Sequence, residues 1–303
     1  MYRYKRLLVG LDLTEMDVKI IKYVDYLCGV MSVDKVYFMH VAKTFELPSG
    51  VREKYPDLIA PVDETISREI NNLVSENFTA EVDFHIEVKQ GNPADQILKW
   101  SNFKEIDLVI MGRKRVLRGG GVLPGKMVKM SHCSLLFITE DANLPIKKIM
   151  LPVDFSKQGK MALEVAARLH KKIDCNILFH HSFQVPTGYH TSGKSFQEFA
   201  NVMRGHAQND MNEFIGQVDF NSAEAQINLF LDEDNDPGKH ISEVAEVEGA
   251  DLLVISSKGR SAIASMIIGS VAEKVCHLEN KIPVLVVKDK HQNMGFLDAI
   301  LKL

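Results

Sequence analysis

Two stretches of the chain carry residue types whose spacing could do chemistry. The first is Asp154, which closes the run Lys148-Ile-Met-Leu-Pro152-Val-Asp154. A carboxylate at a strand end can accept hydrogen bonds from a ribose or a base amino group, or it can serve as a solvated turn or capping group. The second is Ser256-x2-Gly259-Arg260-x8-Gly269-Ser270-Val271, which follows the apolar run Leu252 to Ile255. Glycines let backbone approach a phosphate, and a helix opening at Ser270-Val271 would offer N–H groups and the positive end of its dipole to an anion. The dipole contributes only about 0.3 to 1 kcal/mol per anionic group, so several N–H contacts must converge for useful affinity.

Other candidate chemistries are weaker. The acidic run Asp232-Glu-Asp-Asn-Asp236 reads as a solvated loop or, beside a pocket, as a group that repels phosphate or recruits a divalent cation. Gly120-Gly-Val-Leu-Pro-Gly125-Lys126 matches part of a P-loop, but Met127 stands where magnesium coordination needs Ser or Thr. His132-Cys133 and Cys276-His277 occupy similar places in the chain and could supply zinc ligands, although packing in the core is the commoner fate of such residues. His180 and His181 are neighbours on an expected strand, so they face opposite sides and read as core or pocket lining. No GxSxG elbow, HExxH helix or catalytic-cysteine signature is present, so no catalytic residue or metal ligand is assigned.

The elements that must position these residues are written twice. Arg6-Leu-Leu-Val-Gly-Leu-Asp12-Leu-Thr14 recurs as Lys148-Ile-Met-Leu-Pro-Val-Asp154-Phe-Ser156, and Asp107-Leu-Val-Ile-Met-Gly112 recurs as Asp251-Leu-Leu-Val-Ile-Ser256. Short apolar runs alternate with helix-period segments, the rhythm of a parallel sheet covered on both faces. Five strands are expected in the first copy, at 6–11, 35–41, 82–89, 108–111 and 134–138. Five more are expected at 148–153, 176–181, 227–231, 252–255 and 284–287. Thr14 and Ser156 are N-cap candidates for the helices after the first strand of each copy. A loop over 186–195 that is rich in Gly, Thr and Ser is expected to be mobile. The expected domains are 1–140 and 147–290, with a tail at 291–303.

The 303 residues, 46% hydrophobic and 25% charged, suffice for two cores. A net charge of -4 gives no global attraction for nucleic acid or an anionic membrane. The N-terminal apolar run, Leu7 to Leu11, is too short for a signal or a span. A cytoplasmic location with reduced thiols at Cys28, Cys133, Cys175 and Cys276 is therefore expected.

Asp154 at a strand end, Gly259-x9-Gly269-Ser270, the closing Pro283-Val-Leu-Val-Val287 and the turn Gly91-Asn-Pro93-Ala together resemble the universal stress protein family. The resemblance covers both halves. It implies two tandem Rossmann-like α/β domains of the adenine nucleotide alpha hydrolase-like type, each a five-stranded parallel sheet of order 3-2-1-4-5. It also implies that the halves pair about a pseudo-twofold axis as an intramolecular pseudo-dimer, with a homodimer as a further level. The family's nucleotide binders carry Gly-x2-Gly-x9-Gly-(Ser/Thr). Carried over, the cofactor-binding set is Pro152, Asp154, His181, Ser256, Gly259, Arg260, Gly269, Ser270 and Val271, for ATP with magnesium. Ser256 replaces the first glycine and the acidic run replaces the Gly-x-Pro turn. The first half departs further, with Arg115 at the second glycine and Lys126 after Gly125, so its site is expected to be degenerate. The implied function is an ATP-binding stress-response regulator, with ATPase activity slow or absent. The alternative is a scaffold that binds no nucleotide and acts through an unknown protein partner.

Overall fold

The computed structural model describes residues 4–45, 62–114, 122–259, 268–278 and 281–290. Arg115, Arg118, Gly120, Arg260 and the tail at 291–303 lie outside them. The chain divides into two compact units, one spanning Arg3–Glu140 and the other Asp141–Leu303.

The first unit runs β1 (Arg6–Leu11), α1 (Met16–Val30), β2 (Lys35–Ala42), α2 (Val62–Asn77), β3 (Asp83–Gln90), α3 (Pro93–Phe103), β4 (Leu108–Arg113), α4 (Val122–Met130) and β5 (Ser134–Thr139). Its strands lie in the order β3-β2-β1-β4-β5, all parallel. The second unit repeats the scheme. It runs β6 (Lys148–Pro152), α5 (Lys157–Ile173), β7 (Asn176–Phe183), α6 (Phe196–Ile215), β8 (Gln226–Leu231), α7 (Pro237–Val247), β9 (Leu252–Ser256), α8 (Ser270–His277) and β10 (Val284–Val287). Its parallel order is β8-β7-β6-β9-β10. Both orders are the expected 3-2-1-4-5, and the expected strands are all present. Several run a residue or two further because their ladders continue, as at Val41↔Lys89 and Ala42↔Gln90.

Central strands are apolar on both faces because helices cover both. Leu7, Leu8 and Val9 in β1 and Ile149, Met150 and Leu151 in β6 are almost wholly shielded from water. Removing each such side chain from water contributes roughly 1.5 to 3 kcal/mol to folding. Cys133 and Cys276 are buried in this core with His132, and all four cysteines are free thiols.

Two repeated devices position the strand ends. The Asp107 carboxylate accepts the N–H groups of Lys5 and Arg6, both at 2.9 Å, tying β4 to the start of β1. Asp251 does the same for Lys147 and Lys148 at 2.8 and 2.9 Å. At the far end of β1 and β6 the chain turns through a left-handed residue, Leu13 (φ 59°) and Phe155 (φ 58°). Side chains rarely adopt that conformation, and it is sustained only where the surroundings over-determine it. Here it bends the chain sharply and leaves Asp12 and Asp154 at the strand mouths.

One local expectation is corrected. Ser156 caps α5, its Oγ accepting the Gly159 N–H at 2.9 Å, but Thr14 caps nothing. Its hydroxyl donates to Asp12 at 2.6 Å and accepts from the Lys114 ammonium at 2.7 Å, so it is spent on the turn. The segment expected to be mobile holds a 3₁₀ turn, Tyr189–Ser192, with the Tyr189 ring edge-on to Phe196 at 5.6 Å. Among the described residues no helix is long and apolar enough to cross a membrane.

Candidate functional site

In the second unit the carboxyl ends of β6, β7 and β9 open onto a cavity of about 330 Å³. β6 lies between β7 and β9 in the sheet, so the cavity sits where the strand order reverses, the usual ligand crevice of an open α/β sheet. Pro152, Asp154, His181, Ser256, Gly259, Gly269, Ser270 and Val271 all line it. Of the nine residues singled out in the sequence, Arg260 alone falls outside the described residues.

Their packing is close. A Cβ on Gly259 would lie 2.9 Å from Asp154 Oδ2, and one on Gly159 would lie 2.8 Å from Oδ1, so the carboxylate is seated between two glycine backbones. Oδ1 also accepts the Ser156 N–H at 3.1 Å, so the turn-carboxylate reading holds beside the pocket reading. A Cβ on Gly269 would come within 3.3 Å of the Gly259 nitrogen. Gly269 donates its N–H to Ser257 O at 2.8 Å and stands as the N-cap of α8, where no side chain among the described residues caps the helix. The first-turn residues Ser270, Val271 and Ala272 all line the cavity. N–H groups there have no partner within their own helix. Ser256, the departure from glycine, turns its hydroxyl onto Lys258 O at 3.0 Å.

The imidazoles of β7 and the start of α7 also line the cavity. His181 donates from Nδ1 to Val153 O at 2.7 Å and lies against Phe155 at 4.5 Å, bracing the left-handed turn. His180 is buried, with Nε2 at 3.2 Å from Ser182 Oγ. Burial, helped by the neighbouring His181 and His240, pushes its pKa down to about 4, so it is neutral at pH 7. Pro237 and Ile241 line the cavity from the start of α7. Lys258 is also buried in the lining, and desolvation lowers its pKa. Gly159, Ser182 and Lys258 carried no assigned role in the sequence reading. Only the occurrence of Gly159 at a helix start hinted that something packs against it.

The first unit has a corresponding cavity of about 310 Å³ whose chemistry differs. His40 braces the turn as His181 does, donating to Leu11 O at 3.0 Å. Asp12, however, is paired with the Lys114 ammonium at 2.6 Å. Burial alone would raise the Asp12 pKa, but Lys114 and Thr14 outweigh it and hold it below the usual range. Where the second unit has Gly159, this unit has Asp17, fully buried, accepting the N–H groups of Asp12 and Leu13 at 3.2 and 2.7 Å. Desolvation, with the like charge of Asp12, pushes its pKa up to about 6. Gly125 lies inside α4, so no helix starts there, and Lys126 is drawn to Asp95 at 2.6 Å. The same helix puts the described part of the P-loop-like stretch, Val122 to Lys126, in helical conformation.

The acidic run does not line the second-unit cavity. Asp236 caps α7 through the Lys239 N–H at 3.1 Å and pairs with Lys274 at 2.6 Å, while Asp234 pairs with His240 at 2.5 Å. His240 of α7 and Lys274 of α8 meet part of its charge.

Fold and cavity together define a duplicated, doubly wound α/β protein with a crevice at the strand mouths of each unit. The family model described as the universal stress protein family matches residues 3–136 and again 145–288. The chain belongs to that family. Universal stress protein MJ0577 of Methanocaldococcus jannaschii is 30% identical over 160 residues, which is 48% of this chain and 96% of that protein. Among solved structures, a universal stress protein from Archaeoglobus fulgidus is similar with a TM-score of 0.59 at 18% identity, covering 95% of this chain and 97% of that one. The functionally unknown protein PA1789 from Pseudomonas aeruginosa PAO1 gives a TM-score of 0.65 at 14% identity, covering 99% and 98%.

Proposed function

We propose that the protein is a stress-response regulator that binds an adenine nucleotide, ATP with magnesium, in the cavity of its second unit. The observation that carries this reading is the convergence of Asp154, Gly259 and Gly269 on one point beside the uncapped start of α8. A bare backbone at Gly259 and Gly269 leaves room for a phosphate, and the N–H groups of Ser270, Val271 and Ala272 supply several donors at once. Asp154 would take the ribose, and the wall of Pro237, Ile241 and His180 would take the base. A volume of about 330 Å³ is at the lower end for small-molecule sites, matched to a ligand whose phosphates remain partly in solvent.

Magnesium would ride on the phosphates with the Ser270 hydroxyl nearby, since Asp154 is the one carboxylate in the described lining. That carboxylate is seated against glycine backbone and the Ser156 N–H, which favours binding over hydrolysis. Calorimetric titration of the full chain with ATP tests the reading. Wild type binds one equivalent in the second unit, and Gly269→Val, which puts bulk 3.3 Å from the Gly259 nitrogen, loses measurable binding while its circular dichroism is unchanged. No binding by wild type at millimolar ATP would favour the other reading, a scaffold that acts through protein contacts.

A further inference from the structure

The two copies differ in the connection between their third strand and the helix that follows. In the first unit two residues, Gly91 and Asn92, separate β3 from Pro93, and Gln96 turns its amide onto Gln90 O at 3.0 Å. In the second unit five residues, 232 to 236, separate β8 from Pro237, and His240 stands one turn into α7 where the first unit has Gln96. The longer connection and the imidazole are separate changes, yet they bring one donor set together.

We propose that Asp232, Asp234 and His240 form a binding site for a divalent transition ion of the zinc class. One ligand atom from each residue lies within 4.8 Å of the others. His240 Nε2 is 2.5 Å from Asp234 Oδ1 and 3.6 Å from Asp232 Oδ1. Asp232 is no solvated loop residue: it is 5% exposed, its Oδ1 accepts the Asp236 N–H at 3.1 Å, and Gln184 reaches its Oδ2 at 3.4 Å. Two carboxylates facing a single imidazole leave an excess of negative charge in a partly dry place, which a divalent ion removes. Imidazole plus carboxylates suits zinc and its neighbours better than the all-oxygen sets favoured by magnesium or calcium.

The surroundings hold the imidazole as a ligand is usually held. Its outer nitrogen, Nδ1, lies 3.7 Å from Glu243 Oε2, and a carboxylate on the second nitrogen orients many metal-bound histidines. The Phe230 ring packs against it at 4.4 Å. Binding requires the Nε2 proton, now shared with Asp234, to leave for solvent, and the three donors to draw in to about 2.0 to 2.2 Å from the ion. None of the three donors lines the nucleotide cavity, so the site stands apart from the proposed function.

The test is a titration of the chelator-treated, dialysed full chain with zinc chloride and no nucleotide, followed by calorimetry and native mass spectrometry. Wild type takes up one equivalent with micromolar or tighter affinity. Asp234→Asn, at a side chain exposed enough to leave folding intact, and His240→Ala each weaken uptake by roughly 10-fold or more. Absence of uptake by wild type, or uptake unchanged in a folded Asp234→Asn variant, overturns the site.

Discussion

Asp154 is held against Gly259 by a gap that admits no Cβ, and the smallest possible change tests that contact. Gly259→Ala puts a methyl 2.9 Å from Oδ2 and must displace the carboxylate; a loss of ATP affinity of roughly 10-fold or more, read by calorimetry, is the expected result. Asp17 makes a different prediction. Its pKa is pushed up to about 6 in the folded chain against 3.8 for an unperturbed aspartate, so the folded state binds the proton more tightly and stability from this residue is lost as pH rises through that window. Comparing wild type with Asp17→Asn by urea denaturation, wild type gains on the order of 2 kcal/mol relative to the variant between pH 7 and pH 4.5. A difference independent of pH would show Asp17 ionised throughout. Sequence spacing was enough to single out Asp154, Gly259 and Gly269, because local backbone needs dictate where glycine and a strand-end carboxylate fall. Gly159, Asp17 and Lys258 take their meaning from partners brought near by the fold, and no spacing rule exposes that.

The elements were legible for a related reason. Parallel strands buried on both faces must be continuously apolar, so β1, β4, β5, β6, β9 and β10 announce themselves as short runs of Leu, Ile and Val. Helix starts were not so legible. Thr14 and Ser156 have the same place in the two copies, yet only Ser156 caps, because the Lys114 ammonium and Asp12 claim the Thr14 hydroxyl. Ser156→Ala is therefore expected to cost about 1 kcal/mol in thermal or urea unfolding through loss of the α5 cap, whereas Thr14→Ala leaves its helix without that cost. The starts of α4 and α8 diverge likewise. α4 begins at Val122, ahead of Gly125, while α8 begins just after Gly269, so the glycine frames an open helix end in the second unit alone.

At the scale of the molecule, duplication has produced two units with the same strand order, the same Asp staple and the same left-handed turn. The crevices have nevertheless diverged. They are nearly equal in volume, but the first is lined by the Lys114–Asp12 pair and the buried Asp17, and the second by glycine backbone at Gly259 and Gly269. Such asymmetry fits one ligand per chain in place of two. The duplication itself was plain in the sequence, since each repeated motif serves the scaffold. The direction of divergence was visible only in part, through Arg115 and Lys126 at positions where a binder carries smaller residues. The most direct test is native mass spectrometry of the full chain with ATP, wild type beside Gly259→Ala. One nucleotide per chain, lost in the variant, is the predicted result. Two nucleotides per chain, or one that survives Gly259→Ala, would contradict the assignment of binding to the second unit.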